Sequence, residues 1–143
     1  MSSASESEIA FLDTNIFIRY LTRDDPDKAA RAYALLLEVE RGERLVMTTE
    51  AVLTEVVHAL SSKALYNVPR PIIRQRLYDL LGLSGLRLRD KRVYRRALDL
   101  YVQRNLDFVD CLIVAQMERA KVATLISFDR GFDRIPGITR VEP

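Results

Sequence analysis

A chain of 143 residues, 48% hydrophobic and 29% charged, can bury one proper core and reads as a single globular domain. One cysteine, Cys111, and one histidine, His58, exclude an intrachain disulfide, a Cys/His zinc site and a nuclease built on paired histidines. No apolar run approaches the roughly 18 residues needed to span a bilayer, so no membrane association is expected and a cytoplasmic location is. The net charge is only +2, yet ten basic residues fall between Arg70 and Arg104, opposed only by Asp79, Asp90 and Asp99. The rest of the chain is therefore acidic, and an acidic pocket beside a basic surface suits an enzyme acting on a polyanion.

Residues 1–8 are small, polar and acidic and are expected to form a disordered tail before a single domain over 9–143. The apolar run from Ile9 predicts a buried strand ending at Asp13, followed by a short helix over about Asn15–Leu21. Asp25-Pro26 predicts a clean helix start, with Asp as cap and Pro in the first turn, and Gly42 predicts its stop after about Arg41. A strand over about Arg44–Thr48 leads to a helix capped by Thr49, with Val52, Leu53, Val56, Val57 and Leu60 as its apolar stripe. Pro69 and Pro71 open another helix that ends near Gly82, and Leu86–Arg89 alternates as a short strand. Helices are predicted over about Arg92–Arg104 and Phe108–Ala120, then strands over about Ala123–Phe128 and Thr139–Glu142. Strands separated by helices imply right-handed crossovers. The predicted class is α/β, a three-layer α/β/α sandwich around a mostly parallel sheet.

Four carboxylates stand where such a fold could gather them. Asp13 and Asp129 each close an apolar run, and the carboxyl edge of a parallel sheet is where ligands bind. Asn15 is well explained as a helix cap, but capping does not account for an acid directly after four apolar residues. Glu55, by itself, reads more readily as an exposed helical glutamate than as a ligand, and Glu50 nearby is favoured in a first helical turn by the dipole. Asp110 sits in a first turn where Asp107 can cap; Asp107 is read as cap or supporting residue. Asp133 rivals Asp129 but lies further from the strand end, and Ser127 can hydrogen-bond a carboxylate or a bound water. Cys111 reads as a buried hydrophobe, and Tyr78, Tyr94 and Tyr101 as core residues that could otherwise stack on bases.

Two like charges about 4 Å apart repel by roughly 4 kcal/mol at an effective dielectric near 20. Four carboxylates in one pocket would need a cation, and oxygen-only ligands select Mg²⁺ or Mn²⁺. A metal-dependent phosphodiester cleaver is the expected chemistry.

Taken in order, Phe11-Leu12-Asp13-Thr14-Asn15, Val52-Leu53-Thr54-Glu55, Leu106-Asp107-Phe108-Val109-Asp110 and Ile126-Ser127-Phe128-Asp129-Arg130-Gly131-Phe132 resemble the PIN domain, most closely the VapC-type toxin ribonucleases of toxin–antitoxin pairs. The resemblance places the family's four acids on Asp13, Glu55, Asp110 and Asp129 and its following polar residue on Asn15. Ser127 stands where many members have Thr, which keeps the hydroxyl. It implies a divalent-metal endoribonuclease, a homodimer, and inhibition by a separately encoded antitoxin. The preference for RNA comes from the resemblance alone, since attack by water needs no ribose hydroxyl. Two rivals are a catalytically silent nucleic-acid- or protein-binding module and a phosphotransferase with Asp13 as nucleophile. The second usually needs an acid two places on, where Asn15 stands.

Overall fold

The computed structural model describes residues 9–143, so the tail expected over residues 1–8 lies outside the described residues. In chain order the elements are β1 (Ala10–Phe11), α1 (Thr14–Thr22), α2 (Pro26–Glu40), β2 (Val46–Met47), α3 (Glu50–Ser61), α4 (Arg70–Leu81), β3 (Leu86–Arg87), α5 (Lys91–Gln103), α6 (Phe108–Ala120), β4 (Thr124–Ile126), a 3-10 helix (Arg130–Arg134) and β5 (Thr139–Val141). They fall into two compact units that meet in the chain between Lys91 and Arg92.

In the first unit, helix boundaries follow local chemistry. The Asp25 carboxylate accepts the Lys28 N–H at 3.1 Å with Pro26 in the first turn, and Thr49 accepts the Val52 N–H at 3.4 Å. Gly42 ends α2 at φ 74°, a left-handed geometry that costs a residue without Cβ little. The strands pair parallel in the order β1-β2-β3, with Ala10 opposite Val46 and Val46 opposite Leu86. Gly85 lets β3 enter this sheet, because a Cβ there would collide with the carbonyl oxygens of Arg44 and Val39. Leu53, Val56, Val57 and Leu60 bury one face of α3, against a core that includes Phe17, Val39, Val46, Ile73 and Leu77. Cutting the fully buried Phe17 to alanine should cost about 3–5 kcal/mol.

In the second unit, β4 and β5 pair parallel, with Leu125 opposite Arg140. Their connection contains the 3-10 helix, where the sequence suggested only a polar turn; a single short turn of this kind carries no apolar period to betray it. Tyr94, Leu98, Cys111 and Val114 are buried, and Tyr101 meets Phe108 edge-on at 5.9 Å. The tyrosines 94 and 101 thus pack inside, and Cys111 is a buried free thiol as expected.

One expectation needs correction. The continuous apolar runs around β1 and β4 suggested strands buried on both faces. Instead Leu12 is buried while Phe11 is 65% exposed, and Ile126 and Phe128 are 68% and 73% exposed. Side chains alternate across a strand, so covering one face buries only every second residue. Among the described residues no helix is long and apolar enough to cross a membrane.

Candidate active site

Asp13 lies two residues past β1 and occupies the cap position of α1 in extended geometry (φ −91°, ψ 177°), but its carboxylate makes no capping hydrogen bond. Asp25, in the same position on α2, does. Asp13 is exposed, so its oxygens face solvent while the backbone on its amino side is fixed by the Leu12 N–H bond to Met47 O at 2.9 Å. Helix α1 begins at Thr14, which corrects the placement of Asn15 as cap. Asn15 lies instead in the first turn, beside a groove of about 420 Å³ that also touches Arg19, Lys28 and Arg31.

Thr14 was not singled out by its sequence context, yet its hydroxyl donates to Glu55 Oε2 at 2.7 Å across 41 positions of chain. The residue adjoining Asp13 and the glutamate of α3 are thereby joined. One Glu55 oxygen is occupied by the threonine hydroxyl, which orients the exposed carboxylate.

In the second unit Asp107 holds the cap position of α6 but, like Asp13, makes no side-chain capping bond; its expected cap role is positional only. Asp110, in the first turn, is half-buried. Its carboxyl is held above the ordinary carboxylate range, first by burial and then by the charges of Asp129 and Asp107. The structure therefore brings Asp129 and Asp107 each within electrostatic reach of Asp110. Asp129 caps the 3-10 helix: its Oδ1 accepts the Gly131 N–H at 2.8 Å, and its own N–H donates to Ser127 Oγ at 3.0 Å. Ser127 so supports the backbone of Asp129.

The rival Asp133 is engaged elsewhere. Arg140 donates to it through Nε and Nη2 at 2.8 and 3.3 Å, and this pairing holds the Asp133 carboxyl below its usual range. Arg140 was also missed in the sequence. No local sequence signal marks it, because its acceptors Asp133 and Ser127 lie 7 and 13 positions away. Of the basic stretch, Arg96 is engaged with both oxygens of Glu118 at 3.0 Å.

Within neither unit, among the described residues, do three His, Cys, Asp or Glu side chains lie close enough to hold a metal ion unaided. Within the second unit the donor chemistry still suits a hard divalent cation: Asp107, Asp110 and Asp129 offer only oxygen, and burial, then the charges of Asp129 and Asp107, raise the Asp110 carboxyl.

Residues 10–138 match the PIN domain family. The chain belongs to that family. This match bears out the α/β reading with parallel strands. Two solved structures are similar to the chain: VapBC2 from Rickettsia felis bound to a DNA fragment from its promoter, and VapC20 of Mycobacterium tuberculosis, a toxin that cleaves the sarcin–ricin loop. The first is 21% identical over 94% of this chain and 98% of the other, the second 20% over 94% and 99%, each with a TM-score of 0.37. No curated protein matches the chain.

Proposed function

We propose that this PIN domain is a divalent-metal-dependent endoribonuclease that hydrolyses RNA phosphodiester bonds as the toxin of a toxin–antitoxin pair. Family membership over residues 10–138 carries the reading. The electrostatic crowding of Asp110 by Asp129 and Asp107 supports it. In this reading residues 9–143 act as one catalytic domain in the cytoplasm, as a homodimer, restrained by a separately encoded antitoxin.

Asp13, Glu55, Asp110 and Asp129 would hold one or two Mg²⁺ or Mn²⁺ ions. When bound, such an ion neutralises charge on the phosphate and lowers the pKa of attacking water. The chain's own residues prepare the donors. Thr14 fixes one Glu55 oxygen, leaving the other available. Gly131 N–H fixes Asp129 Oδ1, so Oδ2 projects in a defined direction. Asp13 and Asp107 leave their helix starts without side-chain caps, which frees both carboxylates from local bonding and leaves helix N–H groups for an anion. Asn15, Ser127 and Asp107 are supporting residues. The basic residues between Arg70 and Arg104 would attract the polyanion.

The deciding experiment incubates purified protein with single-stranded RNA and DNA of matched sequence in Mn²⁺, Mg²⁺ or EDTA, beside Asp13→Asn. Metal-dependent internal cleavage of RNA, lost in the variant, supports the reading. A metal-loaded wild type that binds RNA without cutting it would instead establish a silent binding module.

A further inference from the structure

Arg140 makes more hydrogen bonds than a surface ion pair needs. Its side chain is only 10% exposed. Nε and Nη2 donate to the two oxygens of Asp133 at 2.8 and 3.3 Å; Nη1 donates to the Ser127 carbonyl at 2.9 Å and to Glu142 Oε2 at 3.1 Å. These acceptors bracket Asp129: Ser127 lies two residues before it, at the end of β4, and Asp133 four residues after it, in the 3-10 helix.

We propose that Arg140 is a positioning residue for Asp129. The proposal rests on the reading of Asp129 as a metal ligand. The guanidinium spans both flanks of the Asp129 turn and closes it into one unit. Inside that unit Ser127 Oγ holds the Asp129 N–H, and Gly131 N–H holds Asp129 Oδ1. Backbone and one carboxylate oxygen are therefore both fixed, and the direction of the second oxygen follows. A planar five-donor fork is required, because it must satisfy a carboxylate bidentately and reach a carbonyl at the same time. Lysine, a point charge on a flexible stem, cannot do both. An ordinary solvated ion pair would contribute little, and its loss would leave metal binding untouched.

The test uses the full chain, with Arg140→Gln and Arg140→Lys beside wild type. Three measurements are made: amide hydrogen exchange on metal-free protein, Mn²⁺ titration by calorimetry, and steady-state RNA cleavage. Both variants should exchange the Asp129 and Gly131 amides several-fold faster, while amides of α6 keep their rates. Mn²⁺ affinity should fall about 10- to 100-fold, the range for residues that orient a metal ligand. The loss should appear in kcat with KM for RNA held. In an Asp129→Ala background, adding Arg140→Gln should cause no further loss of Mn²⁺ affinity. If Arg140→Gln does not fold, Asp133→Ala, at a side chain 52% exposed, releases the fork and carries the same readings. Wild-type Mn²⁺ affinity in a folded variant of an active enzyme, or an additive loss in the Asp129→Ala background, would overturn this proposal alone. A wild type that neither binds Mn²⁺ nor cuts RNA would overturn the nuclease reading, and this proposal with it.

Discussion

In the first unit Glu55 is oriented by a neutral donor, the Thr14 hydroxyl at 2.7 Å, and both Asp13 and Glu55 are exposed. In the second, Asp110 is half-buried and surrounded by the negative charges of Asp129 and Asp107. Water can solvate the first pair without a metal. In the second group burial and the neighbouring charges disfavour ionised Asp110, and a cation would relieve them. The two sets of acids should therefore respond differently to the same kind of substitution, although the proposed cleavage needs both.

The largest effects should come from removing a charge in either half. Asp13→Asn and Asp110→Asn should each lower metal-dependent RNA cleavage by more than about 100-fold, beyond the range for supporting residues, with the fold intact by circular dichroism. Their metal-free stabilities should differ. Asp110→Asn removes a half-buried charge beside two others and should raise Tm, whereas Asp13→Asn should change it less. Equal Tm shifts would erase the contrast between the halves.

Within the second unit, Asp129→Ala should cost far more activity than Asp133→Ala: at least about 100-fold against about 10-fold, the lower value being the effect of loosening the Arg140 clamp. The reverse order would mean that the ligand lies in the 3-10 helix and not at its cap. Asp129 and Asp133 look alike in the sequence, four residues apart in one polar segment. Asp129 is nearer the strand end, and in the structure its charge acts on Asp110 while the fork of Arg140 donates to Asp133.

Much of the scaffold was legible because its signals are local. Asp25-Pro26, Thr49 and Gly42 each act within one helical turn, and the helices they bound lie where expected. The positions of Asp13 and Asp129 just past β1 and β4 were legible because each follows an apolar run. The hydrogen bonds made by Thr14 and Arg140 were not. Thr14 finds Glu55 across 41 positions, and nothing in Thr14-Asn15 announces a partner on α3. The exposure of Phe11 and Phe128 was equally hidden, since an apolar run specifies what a strand can bury and not how many of its faces are covered.

A smaller effect is expected at Thr14. Thr14→Val keeps shape and loses the hydroxyl; Mn²⁺ affinity and kcat should fall about 10-fold, and Thr14→Ser should restore most of both. In a Glu55→Ala background Thr14→Val should add nothing. Equal losses for Val and Ser would show that Thr14 contributes packing at the start of α1 and not the orientation of Glu55.

The smallest effects are on stability against pH, and here two acids of the second unit should move in opposite directions. Asp110 has a raised carboxyl in the folded state. Its ionised form opposes folding at neutral pH, and that penalty fades as pH falls through the raised value and the folded protein takes up a proton. Asp133 has a lowered carboxyl, held down by Arg140. It contributes stability above the unfolded carboxylate range, which is lost as pH falls through the lowered value. In EDTA, Asp110→Asn should therefore be more stable than wild type at pH 7, by under about 1 kcal/mol after allowance for solvent screening, and should converge on it in mild acid. Asp133→Asn should be less stable at pH 7 and converge only at lower pH. Saturating Mn²⁺ should reverse the first difference, because a bound cation favours the ionised Asp110, and should leave the sign of the second unchanged. Thermal melts of the three proteins across pH 3–8 (about 0.5 apart), with and without Mn²⁺, read all of this directly; an Asp110→Asn advantage that persists unchanged in Mn²⁺ would remove Asp110 from the metal site.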